Sequence, residues 1–79
     1  MTIEIYTTTA PSHWASYYIN GDCSGLEDED IAAADAFAAS LDGEIVDCGG
    51  EDFFCRWFDA APFYPFAAPC VEYTVIKHN

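Results

Sequence analysis

Carboxylates dominate any chemistry that this chain could carry. Asp22, Glu27, Asp28, Glu29, Asp30 and Asp35 lie close together, and no basic residue interrupts them. Asp42, Glu44, Asp47, Glu51 and Asp52 follow at short intervals. In all, 14 acids face two bases, Arg56 and Lys77, for a formal net charge of −12 in 79 residues. Carboxylates at this density serve either to capture a cation or to hold a negative field toward a basic surface. Acid–base catalysis by a carboxylate pair is a third use. Abundance singles out no pair here, however, and so short a chain leaves little room for a substrate cleft.

Cation capture has one candidate. Asn20, Asp22, Ser24 and Gly25 match the first, third, fifth and sixth positions of a calcium-binding helix–loop–helix. The pattern then breaks, because Glu27 stands where an apolar residue belongs and Ile31 where the bidentate Glu belongs. A polar turn between two helices accounts for the same residues, and a small calcium-binding protein is the weaker alternative. The four cysteines, Cys23, Cys48, Cys55 and Cys70, contain no Cys-x-x-Cys pair, so no zinc site is expected. Nucleophilic catalysis would require His13 or His78 to meet a thiol, and so negative a chain raises thiol pKa values rather than lowering them. No enzymatic activity and no cofactor are expected.

A negative field remains. Solubility needs far less charge than this, and self-repulsion destabilises the compact state. Such a surface repels nucleic acid and anionic membranes and attracts basic proteins. Trp14, Tyr17, Tyr18, Phe53, Phe54, Trp57 and Phe58 could stack nucleic-acid bases, but that requires a basic groove which two bases cannot make. They read as core. Some of the aromatics of Phe63-Tyr64-Pro65-Phe66 could still reach the surface as interface anchors.

The elements that must position these groups follow from periodicity. Residues 2–8 alternate and are rich in β-branched side chains, which predicts a strand. Pro11 and Asn20-Gly21 bracket a short helix over residues 11–19 whose Trp14, Tyr17 and Tyr18 share a face. A second helix begins among the acids, with Ile31, Ala34, Phe37, Ala38 and Leu41 recurring at three- and four-residue steps, and Asp42-Gly43 breaks it. Asp28 and Asp35 fall on its outer face. Residues 44–48 and 53–59 predict two further strands separated by a turn at Gly49-Gly50. The proline-rich residues 60–69 make an ordered loop and residues 70–77 the last strand. The order β-α-α-β-β-β predicts one α+β domain over residues 1–79, an antiparallel sheet of about four strands with two helices on one face. The N-terminus shows no basic region followed by an apolar run, and no stretch is apolar enough to span a membrane. A cytoplasmic chain with four free thiols is therefore expected.

Two stretches, residues 2–16 and 20–30, running from Thr2-Ile3-Glu4-Ile5 through Ser12-His13-Trp14 to Leu26-Glu27-Asp28-Glu29-Asp30, resemble a family of small acidic proteins of unknown function from bacteriophages and mobile elements. In size and charge the chain is also similar in type, though not in motif, to anti-CRISPR proteins, several of which are acidic DNA mimics. That likeness implies an inhibitor acting in the bacterial cytoplasm, with a basic nucleic-acid-binding protein as partner. The first candidate is a Cas subunit of a type I surveillance complex, whose target-DNA or PAM recognition it would block. Glu27, Asp28, Glu29, Asp30, Asp35, Asp42, Glu44, Asp47, Glu51 and Asp52 are the expected partner-binding residues, with no direct contact to nucleic acid or membrane. A restriction enzyme, repressor or polymerase is the alternative partner.

Overall fold

The last strand in the chain is the first in the architecture. The computed structural model describes residues 2–54 and 58–78, with the backbone alone for residues 50–54. Strands β1 (Ile3–Pro11), β2 (Glu44–Phe54) and β3 (Pro69–His78) form one antiparallel sheet in the order β1-β3-β2. β3 takes the centre because it is the most apolar of the three. Its Cys70, Val71, Tyr73 and Val75 are all buried. β1 pairs with β3 along its full length, from Ile3 opposite His78 to Pro11 opposite Cys70.

The α+β reading holds, with two α-helices, α1 (Ala15–Asn20) and α2 (Asp28–Ser40), and three strands rather than four among the described residues. The difference lies at Gly49-Gly50. Instead of turning, the chain continues through both glycines as β2, and its register on β3 slips between Gly49 and Phe53. Glycine tolerates the backbone of a bulge, so a pair of them inside a strand marks a slip as readily as a turn. The strand expected over residues 53–59 contributes Phe53 and Phe54 to β2, while Phe58 and Asp59 lie beyond it. Cys55, Arg56 and Trp57 lie outside the described residues.

Pro11 ends β1 instead of opening the helix. Its ψ of 136° is extended, which its fixed φ permits, and a 3-10 turn, Ser12–Trp14, then leads into α1. Gly21 stops α1 in the left-handed region at φ 70°, with its N–H on the Tyr17 carbonyl (3.1 Å) and that of Asp22 on Ser16 (3.2 Å). The helices cover one face of the sheet. Trp14 is fully buried between the layers, with ring centroids 5.4 Å from Tyr64 and 6.1 Å from both Tyr18 and Phe37. α2 buries Ala33, Ala34 and Phe37, and the Tyr18 hydroxyl donates to the Ala34 carbonyl at 2.7 Å. Ile31, Ala38 and Leu41 complete its inward face, half-buried. On the other face of the sheet Ile3 is 56% and Ile5 68% exposed. Among the described residues no helix is long and apolar enough to cross a membrane.

Candidate functional site

The acids gather where α2 begins. Glu27 is its N-cap, in an extended conformation, and its side chain accepts from the backbone N–H of Asp30. The Asp30 carboxylate in turn accepts from the Glu27 N–H at 3.4 Å, closing a reciprocal capping box. Asp28, Glu29 and Asp30 fill the first turn, where the helix dipole favours negative charge. Capping thus explains two of the four acids. Asp28 and Glu29 are exposed and engage no partner among the described residues.

Facing this turn is the loop of residues 58–68. Three backbone bonds of 2.9 Å curl it: the N–H of Ala61 donates to Phe58, and those of Phe63 and Tyr64 to Ala60. Asp59 ties it to β1, accepting from the Thr8 hydroxyl at 2.7 Å and the Thr9 N–H at 3.0 Å. Between loop and helix lies a groove of about 390 Å³, lined by Glu27, Glu29 and Asp30 on one side and Phe63, Tyr64, Pro65 and Phe66 on the other. His13 sits at its edge, with Nε2 3.3 Å from the Asp30 carboxylate and its ring 5.5 Å from that of Tyr64. The Tyr64 hydroxyl is pushed above its ordinary pKa by partial burial and then by the charges of Asp30 and Glu27. With three carboxylates and no Lys or Arg in its lining, the groove is negative.

The remaining acids do not join this group. Asp35 lies further along α2 and accepts from the Tyr17 hydroxyl at 2.5 Å, which raises the tyrosine pKa. Asp42 pairs with Lys77 at 3.6 Å. Glu44 registers opposite Ile76 and Asp47 opposite Thr74, on the alternation that turns away from the helices. Glu44 also borders a second groove of about 310 Å³ with Tyr18, Ala38, Gly43 and Ile45. The side chains of Glu51 and Asp52 lie outside the described residues, as do those of Phe53 and Phe54. The expected acids are therefore dispersed, and among those described Glu27, Glu29 and Asp30 line a common groove.

The turn considered for calcium is held by its own hydrogen bonds. The Asp22 carboxylate accepts from the Ser24 N–H at 3.0 Å, and that bond holds its pKa below the usual carboxylate value. Among the described residues no three His, Cys, Asp or Glu side chains are placed to hold a metal ion. Cys23 is an exposed thiol and Cys48 a half-buried one, while the buried Cys70 directs its Sγ to the Ala68 carbonyl at 3.2 Å.

Nothing in the spacing joins Phe63–Phe66 to the entrance of α2, because the two segments lie more than 30 residues apart in sequence. Asp59 was equally silent, a lone acid after a phenylalanine. The one available signal was the aromatic run itself, Phe63-Tyr64-Pro65-Phe66, too apolar for a loop that faces only water. No curated protein and no solved structure matches the chain. A family profile described as a domain of unknown function (DUF6926) matches residues 7–77, nearly the whole length, and the chain belongs to that family.

Proposed function

We propose that this chain is an acidic inhibitor that occupies the nucleic-acid-binding surface of a basic protein, offering carboxylates where that protein expects phosphates. One observation carries the reading: the acid is almost wholly unmatched. Lys77 is the single Lys or Arg among the described residues, and it faces Asp42. Glu27, Asp28, Glu29, Asp35, Glu44 and Asp47 stand exposed with no cation beside them among the described residues. Ordinary surfaces intersperse both signs, whereas a surface of one sign builds a field suited to steering an oppositely charged partner. Duplex DNA carries about one charge per 1.7 Å of axis, and basic clefts are shaped to that density.

The first partner to test is a type I CRISPR surveillance complex, because readers of a PAM present basic residues to duplex DNA. The entrance of α2 is the part of the chain offered to it. Its acids sit on a rigid, capped helix, so little ordering is lost on docking. Asp35 extends the charge along the same helix, while Glu44 and Asp47 lie on β2, away from this groove, and serve the long-range field. In a filter-binding assay with the complex and its target duplex, the protein should displace DNA. The variant Glu27→Gln/Asp28→Asn/Glu29→Gln/Asp30→Asn should displace it far less. Equal displacement by both proteins would remove the α2 entrance from the account.

A further inference from the structure

Charge alone does not explain why the groove beside α2 has an aromatic wall. Phe66 is 61% exposed and Phe63 37%, in a small domain with every reason to bury its largest apolar side chains. The rings are fixed rather than loose. Tyr64 packs edge-on to Phe66 at 5.6 Å and to the buried Trp14 at 5.4 Å, and Phe63 lies 6.3 Å from Phe37. Opposite them stand Glu27, Glu29 and Asp30.

We propose that this groove seats one arginine side chain of the basic partner, its guanidinium between the Phe63–Phe66 rings and the carboxylates of the first turn of α2. This deepens the function proposed above and rests on it for the partner's class. The groove's charge selects the occupant. A neutral apolar group would desolvate carboxylates without replacing their hydrogen bonds, and an anion would be repelled. A metal ion is disfavoured because the acids do not converge on one point. Arginine meets both walls at once, since its flat face stacks on aromatic rings while its fork of N–H donors bonds carboxylate oxygens. Lysine offers a point charge without the planar face. Glu29 is the carboxylate with no prior commitment, whereas Glu27 and Asp30 are held by the capping box and Asp30 also by His13.

The test is a titration of the isotopically labelled full chain with Nα-acetyl-L-arginine amide, followed by amide NMR shifts. The lysine and citrulline analogues run in parallel. Arginine amide should give saturable shifts confined to residues 27–30 and to Phe63, Tyr64 and Phe66, with lysine weaker and neutral citrulline silent. Phe66→Ala and Phe66→Leu keep the net charge and alter an exposed side chain, so both should fold. Each should weaken arginine amide about 2- to 5-fold, the loss of an exposed cation–π contact, and leave binding to poly-lysine unchanged. The proposal is overturned if the shifts never saturate or spread evenly to Asp35, Glu44 and Asp47. It is equally overturned if lysine binds as well as arginine, or if neither Phe66 variant matters. Should arginine amide bind as predicted while the protein fails to displace DNA from a surveillance complex, the groove stands and the inhibitory function falls.

Discussion

Replacing Asp59 with alanine tests how the aromatic wall is held. Its carboxylate joins the loop to β1 across fifty residues of chain, accepting from the Thr9 N–H at 3.0 Å and from the Thr8 hydroxyl at 2.7 Å. The two bonds differ in value. The first lies at an exposed strand edge, where water replaces the carboxylate at little cost. The second ends on Thr8, which is 5% exposed, in a part-buried bond to the exposed Asp59, so its hydroxyl is poorly reached by water once the carboxylate is gone. A hydroxyl stranded in this way costs about 1–3 kcal/mol, and the charged acceptor places the loss near 2. A domain of this size loses about 4–8 °C in Tm per kcal/mol, so Asp59→Ala should melt roughly 8–16 °C below the parent. Thermal unfolding by circular dichroism reads this directly. Thr8→Val removes the donor instead, and the double variant should recover about 1 kcal/mol relative to the sum of the single losses. A drop of less than about 2 °C for Asp59→Ala, or strict additivity in the cycle, would refute the claim that this bond pins the loop.

Three further outcomes are expected. Neutralising Glu27, Asp28, Glu29 and Asp30 together should change stability by less than about 1 kcal/mol, because lost helix-dipole interactions oppose relieved self-repulsion; salt should weaken partner binding by the parent far more steeply than by this variant, which paired titrations would show. Gly43→Ala should destabilise by about 1–3 kcal/mol, since its new Cβ would overlap the Ile76 carbonyl and stand 3.0 Å from the Lys77 Cα, and the shift in urea midpoint measures it. Burial, and then the neighbouring Tyr73 and Asp35, push the Tyr18 hydroxyl far above its ordinary pKa. The folded state therefore resists its ionisation, so stability is intact below about pH 10 and falls as pH rises beyond it; Tyr18→Phe should flatten that alkaline limb in denaturant melts taken at rising pH.

The sequence revealed elements better than their meetings. Residues 2–8 alternated strongly enough to announce β1, Asn20-Gly21 marked the left-handed stop of α1, and the Ile31-to-Leu41 periodicity found the buried side of α2. Each of these is a local signal, read over one or two turns. Gly49-Gly50 misled because the same backbone freedom serves a turn and a bulge, and only pairing with Glu72 and Cys70 on β3 decides between them. The candidate site divides in the same way. The acids of the α2 entrance were visible as composition, and their capping role as position. The groove was not, because it depends on a loop carried back from β2 and fixed by Asp59 to a strand near the other end of the chain. The exposed Phe63 and Phe66 hinted at an interface without naming what they would face.

Whether the protein takes the place of DNA on a basic partner is read by competition. A type I surveillance complex is bound to a labelled target duplex carrying its PAM, and the protein is titrated in while a native gel records the bound fraction. Free duplex should appear as the protein approaches the concentration of the complex, the protein alone should never shift the duplex, and the fourfold-neutralised variant should need much higher concentrations. A duplex that stays bound at saturating protein, or one that the protein itself retards, would contradict the proposed inhibition.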